Sequence, residues 1–265
     1  IIHYTCMKVI TYNVNGVRAA INKGFVDWLK ATHADVICLQ EIKAMKSQIP
    51  VSLFEDLGYH TYWHSAEKKG YSGTAILTKH APLQVVYGYE PSYNQTDEEG
   101  RVLRIDLPNI SIMSVYMPSG TREERISFKM DWMIRFYAYI EALQKTQPNL
   151  LIGGDYNICH QPIDIHNPKS NAKTSGFLPE ERGWLTQFIE LGFVDTFRHF
   201  NKEPEHYSWW SQRLGARARN VGWRIDYVLA SPEAMPLVKD AFIWPNVLGS
   251  DHCPVGVTVT IPHRG

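Results

Sequence analysis

The sequence predicts an α/β sandwich, in which helices cover the outside of layered β-sheets. Short apolar or β-branched runs bounded by Gly, Pro, Asn or Lys recur along the chain, as is typical of strands. Longer segments with helical periodicity separate some of these runs, whereas other runs follow one another directly. This order favours helices packed outside layered sheets over a strictly parallel, doubly wound sheet. At 265 residues the chain fits one large domain, since sandwiches of about 200–250 residues fold as one unit.

Six strands are predicted up to Gly153, each from an apolar run that ends at a turn-forming or polar residue. They cover Val9 to Val14, Asp35 to Gln40, Thr74 to Thr78, Val102 to Leu107, Ile110 to Tyr116 and Leu150 to Gly153. Three more are predicted at Glu205 to Trp210, Trp223 to Ala230 and Val255 to Ile261, after a loop-rich stretch from Ile158 to Phe177.

The longest predicted helix runs from Glu123 to Gln147, where apolar residues recur every three or four positions. Shorter helices are predicted at Lys23 to Thr32 and at Pro179 to Leu191. The last of these has acidic residues in its first turn, and Gly192 follows as a C-cap.

The domain is predicted to span residues 7–262. Ile1 to Cys6 precede a Met7-Lys8 pair that resembles a natural start, so these six residues are expected to be an upstream extension outside the fold.

Charge and cysteine content limit the classes of function. The 27 basic and 27 acidic residues leave no global positive charge, so any contact with nucleic acid must use local patches. The four cysteines are widely spaced, which indicates a reducing compartment rather than a disulfide framework. No run approaches the ~20 apolar residues of a membrane span, and no signal peptide is apparent. We expect an intracellular, cytoplasmic monomer, located at the nucleoid if the source is bacterial.

Five polar clusters stand at strand ends, where α/β folds build their sites. They are Asn13-Val14-Asn15-Gly16, Gln40-Glu41, Tyr116-Met117-Pro118-Ser119-Gly120, Gly154-Asp155-Tyr156-Asn157 and Ser250-Asp251-His252-Cys253-Pro254. Taken singly, four of them have structural alternatives. The first and fourth could be turns, the second a solvated helix start, and the fifth a loop with a surface histidine.

Taken together, the clusters supply what phosphodiester hydrolysis requires. Mg²⁺ takes oxygen ligands, usually one or two protein carboxylates, and Glu41 is the first choice for one of them. A carboxylate such as Asp155 can activate the attacking water, and a histidine or tyrosine can meet the phosphoryl or leaving oxygen.

From Met7 to about Val259 the motifs resemble the exonuclease III family of apurinic/apyrimidinic (AP) endonucleases. The resemblance is carried by the five clusters and by Gly70-Tyr71-Ser72-Gly73, Ile163-Asp164-Ile165, Tyr207-Ser208-Trp209-Trp210 and Trp223-Arg224-Ile225-Asp226-Tyr227. It implies a four-layered α/β sandwich with two central mixed sheets flanked by helices, as in deoxyribonuclease I. It also implies Mg²⁺, for which Mn²⁺ could substitute, and hydrolysis of duplex DNA 5′ to abasic sites, which leaves a 3′-hydroxyl and a 5′-deoxyribose phosphate. A 3′→5′ exonuclease and a 3′-phosphodiesterase activity are expected beside it.

The resemblance also implies roles for individual residues. Metal binding falls to Glu41, with Asn15, Asp251, Asp155 and Asn157 near the ion. Catalysis falls to Tyr116, Asp155, Asn157, Asp226, Asp251 and His252, with Asp226 orienting His252. Substrate contacts fall to Asn13, Ser119, Arg122, Asn171, Trp209, Arg217, Trp223 and Ile225. Asn15, Ser119 and Thr174 stand where some relatives carry Asp, Asn and Asn, which changes the set of metal carboxylates and phosphate contacts.

The segment from Arg213 to Arg224 is predicted to contact DNA phosphates. Four arginines, Arg213, Arg217, Arg219 and Arg224, precede Asp226 without an intervening acidic residue, although a charge run is often only a solvated face. Trp209, Trp223 and Ile225 could be core residues. The resemblance implies instead that they line a narrow pocket for an extruded sugar without its base, which is inexpensive to flip.

Two alternatives stay open at this stage. Another phosphodiesterase or phosphatase on the same sandwich could act on phosphoinositides, sphingomyelin or undamaged DNA. A non-catalytic DNA-binding or scaffold protein could keep the fold, but such a protein typically lacks one of the catalytic carboxylates or the histidine, and none is missing here.

Overall fold

Six strands form the first of two large sheets in the structure, a computed structural model that describes residues 1–264. These strands are β1 (Ile2–Asn13), β2 (Val36–Gln40), β3 (His60–His64), β4 (Thr74–Thr78), β13 (Val238–Ile243) and β14 (Val255–Arg264). Their order is β13-β14-β1-β2-β4-β3, with β1 and β2 parallel and the other pairs antiparallel.

The second large sheet also has six strands. They are β5 (Gln84–Tyr87), β6 (Val102–Leu107), β7 (Ile110–Tyr116), β8 (Leu150–Asp155), β9 (Val194–Asp195) and β12 (Asp226–Ala230). Their order is β5-β6-β7-β8-β12-β9, and only β7 and β8 run parallel. A separate two-stranded ribbon pairs β10 (Trp209–Trp210) with β11 (Gly222–Trp223).

Six α-helices accompany the sheets in the described part of the chain. They are α1 (Val17–Asn22), α2 (Phe25–Thr32), α3 (Ser52–Glu55), α4 (Glu123–Leu143), α5 (Pro179–Ile189) and α6 (Thr196–Phe200).

Apolar side chains fill three successive interfaces. Between the two sheets, Val9 and Cys38 pack with Ile112 and Leu151. The outer face of the first sheet packs against α1, α2 and α3, and the outer face of the second sheet packs against α4 and α5. The result is the expected four-layered sandwich, helix on sheet on sheet on helix, because each sheet buries both of its faces.

Several boundaries differ from those predicted. The strand predicted from Glu205 to Trp210 covers only Trp209–Trp210, and the helix predicted to end at Gln147 ends at Leu143. β1 begins at Ile2, so residues 2–6, which the predicted domain leaves out, pair with the end of β14. The predicted helix from Lys23 to Thr32 starts only at Phe25, because Gly24 has a left-handed φ of 94°. The predicted strand from Trp223 to Ala230 is interrupted, since Arg224 N donates to Asp164 O and Ile225 N donates to Ser208 Oγ instead of joining a ladder.

Candidate active site

Strand register brings three predicted catalytic side chains together at one edge of the second sheet. Tyr116 at the end of β7 lies opposite Asp155 at the end of β8, and Asp155 in turn lies opposite Asp226 at the start of β12. β12 is antiparallel to β8, so its first residue reaches the same edge as the last residues of the two parallel strands. The sequence places these residues about 40 and 70 positions apart, and only the pairing makes them neighbours.

Asn13 connects this edge to the first sheet. Its side-chain nitrogen donates to Glu41 Oε1 at 2.8 Å and to Asp155 Oδ2 at 2.9 Å, and the residue is fully buried. Because one amide nitrogen has two hydrogens, Asn13 can hold a carboxylate of each sheet at the same time. It therefore fixes the separation between Glu41 and Asp155.

His252 lies between two carboxylates. Its Nδ1 is 2.8 Å from Asp226 Oδ2, and its Nε2 is 3.6 Å from Asp155 Oδ2. Burial lowers the pKa of His252, but the two carboxylates outweigh burial and raise that pKa to about 10. The imidazole is therefore a cation at neutral pH, with Asp226 fixing the orientation of its ring.

Asp155 has a strongly perturbed carboxyl group. Burial raises the pKa of Asp155 to about 7, and nearby Asp226 and Glu41 add to the rise while the His252 cation opposes it. The backbone N–H of Asn157 donates to Asp155 Oδ1 at 2.9 Å. A carboxylate with a pKa near neutrality is suited to accept a proton from water.

Three residues of the site have a left-handed backbone that non-glycine residues rarely adopt. The φ angles are 46° at Asn15, 49° at Glu41 and 51° at Asn157. Such backbone strain persists only where surrounding contacts enforce it, and it concentrates at functional sites. Asn15 and Asn157 belong to the two clusters for which a simple turn was the structural alternative. Their left-handed backbone fits a tight turn and is also compatible with a functional role.

The donor set fits a hard divalent cation. Glu41 and Asp155 supply carboxylate oxygens, the ligands that Mg²⁺ prefers, and these oxygens lie within 4.8 Å of each other and of a His252 ring nitrogen. The His252 cation itself has no free lone pair for a metal. Asp251 stands beside this group. Asn15 donates its amide to Asp251 Oδ1 at 3.2 Å while its own oxygen accepts from Lys43 Nζ at 2.6 Å. The Asn15 oxygen has a second lone pair, but a metal bound there would lie close to the Lys43 ammonium, which would repel it.

A buried arginine contacts both the ring and the backbone of Tyr116. The Arg101 guanidinium lies 4.8 Å from the centroid of the Tyr116 ring and donates to the Tyr116 carbonyl at 3.0 Å. Burial, together with Glu41 and Asp155, raises the pKa of Tyr116 well above its usual value. The phenol is therefore neutral at pH 7 and can donate a hydrogen bond.

These groups line a cavity of about 400 Å³. Predicted residues in its lining are Glu41, Tyr116, Ser119, Asp155, Asn157, Trp209, Trp223, Ile225, Asp251 and His252. Thr174 lines it as well. Trp209 and Trp223 form its apolar side as an edge-to-face pair with ring centroids 5.9 Å apart. The polar wall of the cavity is formed by Glu41, Tyr116, Asp155, Asp251 and His252, and the aromatic wall by Trp209 and Trp223 with Ile225.

Four predicted substrate contacts lie outside the lining of the cavity: Asn13, Arg122, Asn171 and Arg217. The Asn171 amide donates to the carbonyls of His166 and Asn167 in its own loop, and Arg122 is exposed at the start of α4. Contact of either residue with a substrate stays a prediction.

Three of the four arginines predicted to contact phosphates donate side-chain hydrogen bonds within the protein: Arg217, Arg219 and Arg224. Arg224 is fully buried and bonds to Asp164 and Asp195, so its predicted phosphate contact is wrong. Arg217 donates to the carbonyls of Pro245, Val247 and Ser250, which leaves little of its guanidinium for DNA. Arg213 and Arg219 are exposed.

The sequence analysis missed Lys129 and Glu181. Lys129 is buried in the cavity wall, where it bonds to Glu181 and donates to the Asn157 carbonyl at 2.7 Å. Glu181 Oε1 accepts from the N–H of Gly176, another lining residue. A signal existed, because Lys129 falls within the apolar stripe of α4 between Ile126 and Met133, where a lysine needs a buried partner.

Comparisons with known proteins agree with this arrangement. Residues 10–252 match the endonuclease/exonuclease/phosphatase family. An exodeoxyribonuclease of Bacillus subtilis is 47% identical over 96% of this chain and all of its own length. The DNA repair nuclease APEX1 of Danio rerio is 38% identical over 96% of this chain and 83% of its own. The structure of an AP endonuclease from Archaeoglobus fulgidus superimposes with a TM-score of 0.87 at 28% identity, covering 96% of this chain and 99% of the other.

A membrane-spanning role finds no support among the helices, none of which, within residues 1–264, is long and apolar enough to cross a bilayer.

Proposed function

Because the chain belongs to the endonuclease/exonuclease/phosphatase family, and within it groups with exodeoxyribonucleases and AP endonucleases, we propose that it is a metal-dependent DNA repair nuclease. Its proposed reaction is hydrolysis of the phosphodiester 5′ to an abasic site in duplex DNA, leaving a 3′-hydroxyl and a 5′-deoxyribose phosphate. The observation that carries the proposal is the cavity, which joins a buried carboxylate–histidine group to a pair of tryptophans.

The polar wall supplies the chemistry. Asp155, with a pKa near 7, accepts a proton from the attacking water, and Asn157 helps to orient that water. The His252 cation and the Tyr116 hydroxyl stabilise negative charge on the phosphoryl oxygens. Asp251 serves the leaving oxygen or the metal. Glu41, with help from the neighbouring site oxygens, would hold Mg²⁺, and the ion would supply Lewis acidity at the phosphate.

The aromatic wall selects the abasic nucleotide over an intact one. Trp209, Trp223 and Ile225 would pack against the deoxyribose of a nucleotide turned out of the duplex. An abasic nucleotide has no pairing and little stacking to lose, so its extrusion needs less free energy than that of an intact one. A narrow apolar pocket would exclude a nucleotide that keeps its base.

The same site would also act at DNA ends. The exodeoxyribonuclease name of the Bacillus relative favours a second activity, removal of nucleotides or blocking groups in the 3′→5′ direction. The bond cleaved and the groups required are the same, so the two activities should respond together to changes in the polar wall. We also propose that the protein acts as a monomer where chromosomal DNA lies, in the cytoplasm, and at the nucleoid if the source is bacterial.

An incision assay tests the proposal. Duplex DNA with one tetrahydrofuran abasic analogue is compared with intact duplex and with an inositol polyphosphate, each in Mg²⁺, in Mn²⁺ or in EDTA. We expect incision 5′ to the analogue with either metal, and none in EDTA. Absence of metal-dependent incision at the analogue contradicts the proposal, and preferential hydrolysis of inositol polyphosphate would support the rival phosphatase.

A further inference from the structure

Trp209 contacts two different parts of the site. Its ring lines the cavity and packs edge-to-face on Trp223, with an interplanar angle of 88°. At the same time its indole Nε1 donates to Asp251 Oδ2 at 3.0 Å. One side chain therefore belongs to both the apolar and the polar wall.

The hydrogen bond from Trp209 completes the support of the Asp251 carboxylate. The other carboxylate oxygen, Oδ1, lies 3.2 Å from both Asn15 Nδ2 and Ser250 Oγ. Without the indole, no hydrogen bond from the described residues would reach Oδ2. The Trp209 indole thus sets the plane of the carboxylate, because a carboxylate held at only one oxygen can rotate.

Backbone contacts reinforce this link. Trp210 N donates to the carbonyl of Asp251 at 3.2 Å, and Trp209 forms an isolated antiparallel bridge with His252. The ribbon of β10 and β11 therefore carries the aromatic wall and anchors the Asp251-His252 segment. A displacement of the Trp209 ring would be transmitted to that segment.

We propose that Trp209 is a positioning residue that couples occupancy of the pocket to the orientation of Asp251. The proposal rests on the proposed function, since it takes a sugar as the occupant of the pocket. A sugar that packs against the ring restricts its motion, and the indole N–H then holds Asp251 in one orientation for the leaving oxygen or the metal. Trp209 thereby links selection of the substrate to alignment of the reacting groups.

Trp223 provides a matched control. It lines the same cavity and packs on the same partner, but within residues 1–264 its indole N–H has no carboxylate acceptor. Trp209→Phe removes a hydrogen-bond donor and keeps an aromatic ring, whereas Trp223→Phe alters the ring alone. A role for Trp209 limited to packing predicts similar behaviour of the two variants.

The first test uses no metal and no DNA. In ¹⁵N-labelled protein in EDTA, the indole resonance of Trp209 is identified by its loss in Trp209→Phe. We expect this resonance to move upfield in Asp251→Ala, because a hydrogen bond to a charged acceptor is lost, while the Trp223 resonance moves much less. If Asp251→Ala does not fold, Asp251→Asn should give a smaller shift in the same direction. An unmoved Trp209 resonance in a folded Asp251 variant would overturn the proposal.

The second test is a double-mutant cycle on incision at the tetrahydrofuran analogue under single-turnover conditions with saturating enzyme. Trp209→Phe should slow incision about tenfold, as expected for one hydrogen bond to a charged group. In the Asp251→Ala background the same change should slow it less than about twofold, because the acceptor is already absent. Trp223→Phe should have the same effect in both backgrounds.

The tests separate this proposal from the proposed function. If Trp209→Phe slowed incision equally in the wild-type and Asp251→Ala backgrounds, the coupling would be overturned, but the proposed nuclease activity would not. A wild-type protein that does not incise at all would overturn the proposed function, and with it the coupling to a sugar.

Discussion

His252 is charged because two carboxylates face it from different strands. Asp226 lies against its Nδ1 and Asp155 near its Nε2, and both belong to the second sheet. Burial, with Asp226 and Glu41, also raises the pKa of Asp155, to about 7, while the His252 cation opposes the rise. The cluster thus favours the charged form of His252 and brings the pKa of Asp155 close to neutrality, where a carboxylate can accept a proton from water.

This assignment predicts the effect of single substitutions at the centre of the site. Asp155→Asn removes the proton acceptor and His252→Asn removes the cation, so each should lower kcat for incision at least ~10²-fold. His80→Asn is a suitable control, because His80 pairs with Asp35 at the opposite end of β2. Single-turnover kinetics with the tetrahydrofuran substrate measure the effect. Losses below tenfold at both positions would show that the assigned roles are wrong.

At the scale of elements, buried ion pairs tie the loops of the site to the sheets. Arg224 bonds to Asp164 in the loop before α5 and to Asp195 in β9, and Arg198 of α6 shares the same Asp164 oxygen. Arg224 stands directly between the pocket residues Trp223 and Ile225. This network, together with the Lys129–Glu181 pair, holds the loop and the ribbon that form the pocket.

The Asp164 network predicts a specific dependence of stability on pH. Burial raises the pKa of Asp164, but Arg224 and Arg198 outweigh burial and lower it below its usual value. A lowered pKa in the folded state stabilises the protein above the unfolded pKa of about 3.9, and this contribution is lost as pH falls below it. Asp164→Asn should therefore reduce the free energy of unfolding by about 3 kcal/mol at pH 7, as for a broken buried pair.

Urea unfolding at several pH values checks this prediction. The difference in free energy of unfolding between wild type and Asp164→Asn should become smaller as pH falls below about 4. Asp131→Asn, which removes an exposed partner of Arg135, should change stability by less than about 1 kcal/mol at any pH. If this difference in free energy of unfolding did not vary with pH, the charge of Asp164 would contribute nothing to stability.

At the scale of the whole molecule, a formally neutral chain must bind a polyanion through local charge. The 27 basic and 27 acidic residues balance, and the buried ion pairs of Glu181, Asp164 and Asp195 neutralise one charge of each sign, so free positive charge must come from exposed side chains. Arg213 and Arg219 are exposed in the loop that joins β10 to β11, whereas Arg217 donates to three carbonyls and Arg224 is buried between two carboxylates. They are the arginines of this segment best placed to contact phosphates.

The double substitution Arg213→Ala with Arg219→Ala should weaken binding to abasic duplex and flatten its salt dependence. Each lost phosphate contact reduces the slope of log K against log salt by about 0.9, so a reduction of up to about 1.8 is expected. Fluorescence anisotropy in EDTA over a salt series measures the slope. Arg135→Ala, an exposed arginine on α4, serves as the control, and an unchanged slope in the double variant would place the loop away from DNA.

Much of the architecture could be predicted from local patterns. The strands at Thr74–Thr78, Val102–Leu107 and Ile110–Tyr116 have the predicted bounds, because buried runs flanked by turn residues are a local signal. Prediction failed where a distant contact intervened. The Trp223–Ala230 strand is interrupted because Arg224 and Ile225 bond to Asp164 and Ser208, and the first strand extends to Ile2 because β14 is long enough to pair with it.

The sequence by itself determined which chemical groups this protein has and that they stand at strand ends. It also carried the family resemblance, since motif order and spacing are properties of the chain alone. Only the tertiary structure decided which groups meet. Register set Tyr116, Asp155 and Asp226 side by side, Asn13 joined the two sheets, and burial separated the paired Arg224 from the exposed Arg219. The physical reason is that hydrogen bonding and charge depend on distance and burial, which sequence spacing does not specify.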